Sequence, residues 1–115
     1  MERRRDERAR VSINTHWGET AYCIWQGRVT SLSAGGCFVQ TERDLKTGQK
    51  IYLRLWLRDG EKILRGEVRY CLERVGLGIQ FFELMERDKE LLVELVAYYR
   101  GEARAAPAAD AGQTS

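Results

Sequence analysis

Much of the chain alternates between hydrophobic and polar residues with a period of two, which is typical of β-strands with one buried face. The most regular of these segments spans residues 50–58, and its hydrophobic face would consist of Ile51, Leu53, Leu55 and Leu57. Asp59-Gly60 follows directly, and this dipeptide is typical of a tight hairpin turn. The pattern therefore predicts a strand that turns back into an antiparallel partner.

Further strands are predicted at residues 11–14, 21–30, 37–39, 62–72 and 77–81. In the fourth of these, one face would consist of Leu64, Gly66, Val68, Tyr70 and Leu72. In the second, Gln26-Gly27 indicates a bulge or bend. Six or seven short strands joined by tight turns predict a mainly β fold, a small six- or seven-stranded antiparallel β-barrel.

The hydrophobic period changes to three and four between residues 86 and 100, which predicts a C-terminal α-helix. Its apolar face would consist of Leu91, Leu92, Leu95, Val96 and Tyr99. Gly101 is well placed to end this helix. We expect the helix to cover an open end or a face of the barrel.

The positive charge of the chain is concentrated in its first residues. The net charge is +2, and residues 1–10 carry all of it, because they hold five arginines against three acidic residues. The planar arginine side chain suits phosphates and the O6/N7 edge of guanine. The predicted organisation is a flexible arginine-rich arm at 1–10, the barrel with its helix at 11–101, and a disordered tail at 102–115.

Several functional classes are disfavoured by composition. Cys23, Cys37 and Cys71 are scattered, which favours small buried side chains in a reducing compartment over a disulfide framework or a zinc site. His16 is the single histidine, and no nucleophile–base pair is found, so we expect neither an enzyme nor a metal or cofactor site. The first residues are too charged for a secretory signal and no run is long enough to span a membrane, so we expect a cytoplasmic protein.

Small residues cluster between two predicted strands, namely Ser31, Ser33, Gly35 and Gly36. Serine hydroxyls in a turn bond nearby backbone or a ligand, and glycines permit a close approach of the main chain. The segment is therefore either an ordinary loop or a place where a polar ligand lies against the backbone.

Two motifs in order carry a family resemblance. Arg4 and Arg8 form an R-x-x-x-R pair, and Ser33 and Gly36 match the later positions of a D/N-x-S-x-x-G turn about twenty residues on. The segment at 76–81 is similar to the last strand of the same family. Together these features resemble the PilZ domain, a small β-barrel with a C-terminal helix whose members often bind the bacterial second messenger cyclic di-GMP.

The resemblance implies a non-catalytic receptor that orders its arm on ligand binding and signals to a protein partner. Arg4 and Arg8 would contact guanine Hoogsteen edges and phosphates, and Arg5 would add charge. Ser31 and Ser33 would bond the guanine edge, while Gly36 with Gly35 would let the backbone approach. Tyr70 is a further candidate, for stacking on a base.

One position departs from the family pattern, because Ser31 stands where Asp or Asn is usual. A carboxylate makes a charge-assisted hydrogen bond, roughly twice as strong as a neutral one. Weakening one such bond by about 1.5 kcal/mol lowers affinity on the order of tenfold. The alternative function is therefore a degenerate PilZ-like protein-interaction module that binds cyclic di-GMP weakly or not at all.

A second alternative is a small barrel that binds nucleic acid through the basic arm and exposed aromatic residues such as Trp56. Residues 11–115 sum to zero charge, whereas a nucleic-acid groove should be basic along its length. On that ground we expect neither DNA nor RNA as a partner.

Overall fold

The computed structural model describes residues 7–58 and 60–101, which form six strands and one helix. Their bounds are β1 (Arg8–Gly18), β2 (Trp25–Ser33), β3 (Gly36–Gln40), β4 (Lys50–Leu57), β5 (Gly60–Leu72), β6 (Gly76–Phe82) and α1 (Glu86–Tyr99). The strands close into an antiparallel barrel in the order β1-β2-β3-β6-β5-β4. The predicted fold class, a mainly β barrel with a C-terminal helix, is confirmed.

The barrel interior is filled by the alternate residues of each strand. Ile51, Leu53 and Leu55 of β4 are fully buried, as the alternation predicted. On β1 the inward positions end at Trp17, which is also fully buried. Gly27 makes room for this indole, because a Cβ there would lie 3.2 Å from Trp17 Cδ1 and 2.9 Å from Val39 Cγ1.

A bulge at Thr30 interrupts the register of β2. Val29 pairs with Val39 across β2 and β3, whereas the next pair along joins Ser31 to Phe38, which leaves Thr30 as an extra residue of β2. The bulge predicted at Gln26-Gly27 is therefore wrong in position. The extra residue reverses the alternation, so that Ser31 is half-buried and reaches the outer surface while Leu32 is buried.

A second bulge lies in β5, where Val68 pairs with Ile79 and Tyr70 pairs with Gly78. Arg69 is the extra residue, and it reverses which side chains face inward. The face predicted to continue from Leu64 through Val68 to Tyr70 and Leu72 is therefore wrong beyond Val68. Tyr70 is 50% exposed on the outside of the barrel.

The hairpin between β4 and β5 is one residue earlier than predicted. Leu57 pairs with Gly60, so Gly60 is already the first residue of β5. Asp59, the other residue of the predicted turn, lies outside the described residues. The predicted disordered tail at 102–115 and the first six residues of the arm also lie outside them, while residues 8–10 of the arm belong to β1.

The helix α1 packs against β1 and β2. Its buried hydrophobic residues are Leu91, Leu92, Leu95 and Val96, as predicted. Tyr99 is 38% exposed, so its placement on the buried face is wrong, because the packed stripe ends one turn earlier. Gly101 ends the helix with φ 82°, and its N–H donates to the carbonyl of Tyr98 at 3.0 Å, as predicted.

An ion pair fastens the first turn of α1 to β5. Lys62 Nζ lies 2.8 Å from Asp88 Oδ1, and the two side chains are only 23% and 10% exposed. Because removing one partner leaves a largely buried charge without compensation, we expect Lys62→Ala to lower the free energy of unfolding by about 2 kcal/mol. Urea denaturation followed by circular dichroism measures this loss.

Lys89→Ala is the matched control for Lys62→Ala. Lys89 lies 3.4 Å from Glu86 on the same helix, but the side chains are 56% and 80% exposed. Exposed pairs of this spacing contribute only about 0.3–0.5 kcal/mol. Equal losses for the two variants would contradict the stabilising role of the Lys62–Asp88 pair.

Candidate functional site

Arg8, the first residue of β1, lies beside the end of β2. It pairs with Ser33 in the strand register. Its Nε donates a hydrogen bond to Ser31 Oγ at 2.9 Å, and its Nη1 lies 3.4 Å from Ser33 Oγ. Arg8 is thus in direct contact with two predicted site residues that lie more than twenty positions further along the chain.

The two serines have different environments. Ser33 is 3% exposed, and its Oγ accepts the N–H groups of Gly35 at 3.2 Å and Gly36 at 3.1 Å. The same hydroxyl lies 3.3 Å from the carbonyl oxygen of Gly36. Ser33 therefore holds the β2–β3 turn from within, whereas Ser31 is the hydroxyl that lies at the surface beside Arg8.

The two glycines also differ. A Cβ on Gly36 would overlap the carbonyl oxygen of Ile79 on β6, so the close approach at this position is between β3 and β6. A Cβ on Gly35 would have no atom within 4 Å, although the Gly35 carbonyl accepts the N–H of Phe81 at 2.9 Å. Gly36 is thus needed for strand pairing, while Gly35 faces open space.

Strand pairing aligns further side chains with Ser31. The register runs Arg10, Ser31, Phe38, Gly78, Tyr70 across five neighbouring strands. The Tyr70 ring lies over Gly78 and the Phe38 ring over Gly76, and the two ring centroids are 6.2 Å apart with planes 29° apart. The row therefore places a guanidinium on one side of the hydroxyl and two aromatic rings on the other.

Arg10 and Phe38 were not predicted as site residues. Arg10 lies outside the R-x-x-x-R spacing, and Phe38 is typical of a buried strand residue in sequence. A cavity of about 490 Å³ is lined by Arg8, Ala9, Arg10, Thr30 and Ser31. Two cationic side chains and two hydroxyls on its wall suit an anionic, oxygen-rich ligand.

Cys37 is a buried thiol close enough to Arg8 to be influenced by its charge. Burial raises the pKa of Cys37 to about 12, although the charge of Arg8 opposes the rise, so this thiol stays protonated at neutral pH. The three cysteines are free. Within residues 7–58 and 60–101, no group of histidine, cysteine and acidic side chains is arranged to hold a metal ion.

Comparison with known sequences decides the family. The sequence pattern described as "PilZ domain" matches residues 2–98, which is most of the chain. The chain belongs to the PilZ domain family. Arg4 and Arg5, the remaining predicted residues of its arginine motif, lie outside the described residues.

Solved structures share the PilZ fold with this chain at low sequence identity. The Bacillus subtilis inhibitor of motility MotI/DgrA has a TM-score of 0.74 and 16% identity, covering 90% of this chain and 54% of its own. The PilZ domain of Escherichia coli YcgR, solved with c-di-GMP, has a TM-score of 0.67 and 13% identity, covering 83% and 89%. The PilZ domain of CeSA from a cellulose-synthesizing bacterium has a TM-score of 0.58 and 21% identity, covering 82% and 95%.

This chain spans about half the length of the Bacillus subtilis protein. A search of curated protein sequences finds no significant match. Within the described residues α1 is the one helix, and it is too short and too polar to cross a bilayer.

Proposed function

We propose that this PilZ domain is a cyclic di-GMP receptor that signals to a protein partner. The observation that carries the proposal is the Arg8 guanidinium, which is fixed on Ser31 and Ser33 at the edge of an open cavity. In the structure this fork contacts the neutral hydroxyls of both serines. Exchange for a phosphate or for the O6/N7 edge of guanine would give it charge-assisted or bidentate hydrogen bonds.

Arg10 is the second cation of the proposed site. It lies two residues from Arg8 along β1, about 6.6 Å of strand length, on the same outward face. Cyclic di-GMP has two phosphates, so the two guanidiniums would each have an anionic partner. Arg4 and Arg5 would approach from the N-terminal side and complete the enclosure of the ligand.

The aromatic pair gives the proposed site a surface for a base. Tyr70 stacks on Phe38, and Phe38 is the register neighbour of Ser31. A guanine bonded at Ser31 would lie next to these rings, where stacking contributes about 1–3 kcal/mol per base in comparable sites. Ser31 would accept a hydrogen bond from the guanine edge, and Ser33 would support it by holding the turn.

A hydrogen bond links this site to the helix. Arg100, just beyond α1, donates from Nη1 to the main-chain carbonyl of Arg8 at 3.1 Å. Ligand capture by Arg8 would therefore act on the end of α1 as well as on the arm. The rearranged arm and helix end would form the surface that a protein partner reads.

Isothermal titration calorimetry of the full chain with cyclic di-GMP tests the proposal. We expect a saturable heat of binding at micromolar ligand. Absence of heat at several hundred micromolar would refute the receptor function and favour the degenerate module. The cytoplasmic location and the lack of enzyme activity stay predictions.

The variant Ser31→Asp restores the acidic residue that is usual at position 31. It distinguishes a cyclic di-GMP receptor from the degenerate module. Because a carboxylate accepts from guanine N–H groups with charge assistance, we expect Ser31→Asp to tighten cyclic di-GMP binding about tenfold. Ser31→Ala, which removes the acceptor, should weaken it. If only Ser31→Asp binds cyclic di-GMP in calorimetry, the natural domain is a degenerate scaffold.

A further inference from the structure

Two adjoining cavities form a groove on the outside of β1, β2 and β3, which we call the outer groove. The cavities measure about 540 and 660 Å³ and share Gln26 and Gln40 in their walls. Trp56 and Arg28 line one cavity, and Arg43 and Arg74 line the other. The cavity at Arg8 also touches β2, the strand that contains Arg28. None of its lining residues lines the outer groove, so the outer groove is a separate site.

Basic and acidic residues are distributed unevenly around the barrel, although residues 11–115 have no net charge. The strands β1 to β4 contain five arginine and lysine residues and no aspartate or glutamate. The helix α1 contains four acidic residues against two basic ones. Three arginines and one carboxylate, Glu42, line the outer groove, while Glu19 and Asp44 bond its lining residues Trp25 and Arg74. The sequence-based objection to a polyanionic partner therefore does not apply to this face.

Flat stacking surfaces lie at both ends of the outer groove. Trp56 is 43% exposed, and its Nε1 donates to His16 Nδ1 at 2.8 Å, which holds the indole by its nitrogen edge. At the other end the Arg43 guanidinium lies 3.5 Å from the centroid of the Trp25 ring. Unpaired bases stack on aromatic rings and on guanidinium planes alike.

Primary amides lie between these ends, on Asn14, Gln26 and Gln40. Each amide has donor and acceptor atoms, which suits hydrogen bonds to base edges of any identity. From β4 to β3 there are three strand spacings, about 14 Å, which is room for a short single strand. An acidic protein segment would use the cations but leave the stacking surfaces without a specific role.

We propose that the outer groove binds single-stranded nucleic acid, with bases stacked on Trp56 and on the Arg43–Trp25 pair and phosphates bound by Arg28, Arg43 and Arg74. This proposal is independent of cyclic di-GMP binding.

The test is fluorescence anisotropy of the full chain with a fluorescein-labelled ten-nucleotide oligouridylate. We expect micromolar binding at 50 mM NaCl that weakens about 20-fold at 200 mM, since three phosphate contacts give a log–log salt slope of about −2. Trp56→Ala should weaken binding about tenfold through lost stacking, and Arg28→Glu at least tenfold. Arg87→Glu, the same charge change on the exposed side of α1, should change it less than twofold.

Four results would overturn the proposal. They are no anisotropy change at 100 μM protein in low salt, equal weakening by Arg28→Glu and Arg87→Glu, equal affinity for a duplex of the same length, and displacement of the oligonucleotide by cyclic di-GMP. The melting temperature of each variant verifies that it is folded. Cyclic di-GMP binding is measured separately by calorimetry. A negative result for the oligonucleotide therefore does not contradict cyclic di-GMP binding, and the reverse also holds.

Discussion

Arg8→Ala should weaken cyclic di-GMP binding about 100-fold. The Arg8 side chain is held on two hydroxyls, and in the proposed complex it would make at least two charge-assisted hydrogen bonds of about 1.5 kcal/mol each. Alanine removes both and also the local positive charge. Calorimetric titration of the wild-type chain and the variant measures the difference.

The fold should survive this change, because Arg8 is exposed and its main-chain contacts with β2 and Arg100 remain. Arg8→Lys is an informative second variant, since lysine keeps the charge but loses the planar fork, and we expect an intermediate affinity. Arg87→Ala on α1 is the control for loss of one distant cation. Wild-type affinity in Arg8→Ala would remove arginine capture from the mechanism.

Gly36→Ala should destabilise the barrel by about 3 kcal/mol, the second large effect we expect. The added Cβ would overlap the carbonyl oxygen of Ile79, an atom of the β6 backbone that cannot rotate away. The strands β3 and β6 would have to separate locally, which is costly in a closed barrel. For a domain of this size the melting temperature should fall by about 10–20 °C, which differential scanning calorimetry measures.

Gly35→Ala is the matched control, one residue earlier in the same turn. Its Cβ would point into open space and its φ is not in the left-handed region, so we expect a change within about 0.5 kcal/mol. A large loss in Gly35→Ala, or none in Gly36→Ala, would show that the two glycines do not divide their roles in this way. A drop in ligand affinity in Gly35→Ala without loss of stability would instead indicate a ligand contact there.

The proposed linkage between ligand and helix rests on one contact. Arg100 bonds the main chain of Arg8, so the cation proposed to capture ligand is also the residue that the end of α1 holds. The side chain of Arg8 is free to exchange its partners without breaking this main-chain bond. In the proposed receptor, ligand binding at Arg8 would act on the end of α1 through the Arg8 main chain.

Sequence periodicity alone was sufficient for the strand β4 and the helix α1. In both, hydrophobic burial follows the local period, because one face packs on the core and the other meets water. The contact between Arg8, Ser31 and Ser33 was anticipated only through the family motif. Local pattern has no information about which distant residues a strand pairing will bring together.

The local pattern did not predict which side chains reach the outer surface at the two bulges. The bulges at Thr30 and Arg69 place Ser31 and Tyr70 on the outer surface, and a bulge depends on the register of two strands, so one strand's sequence does not reveal it. Closure of the barrel also gives Gly36 and Gly35 different surroundings. It brings arginines together on one face, although residues 11–115 have no net charge. The family, the presence of the strands and the helix could all be predicted from sequence pattern. The arrangement of surface chemistry came from strand pairing, because pairing joins residues that lie far apart in the chain.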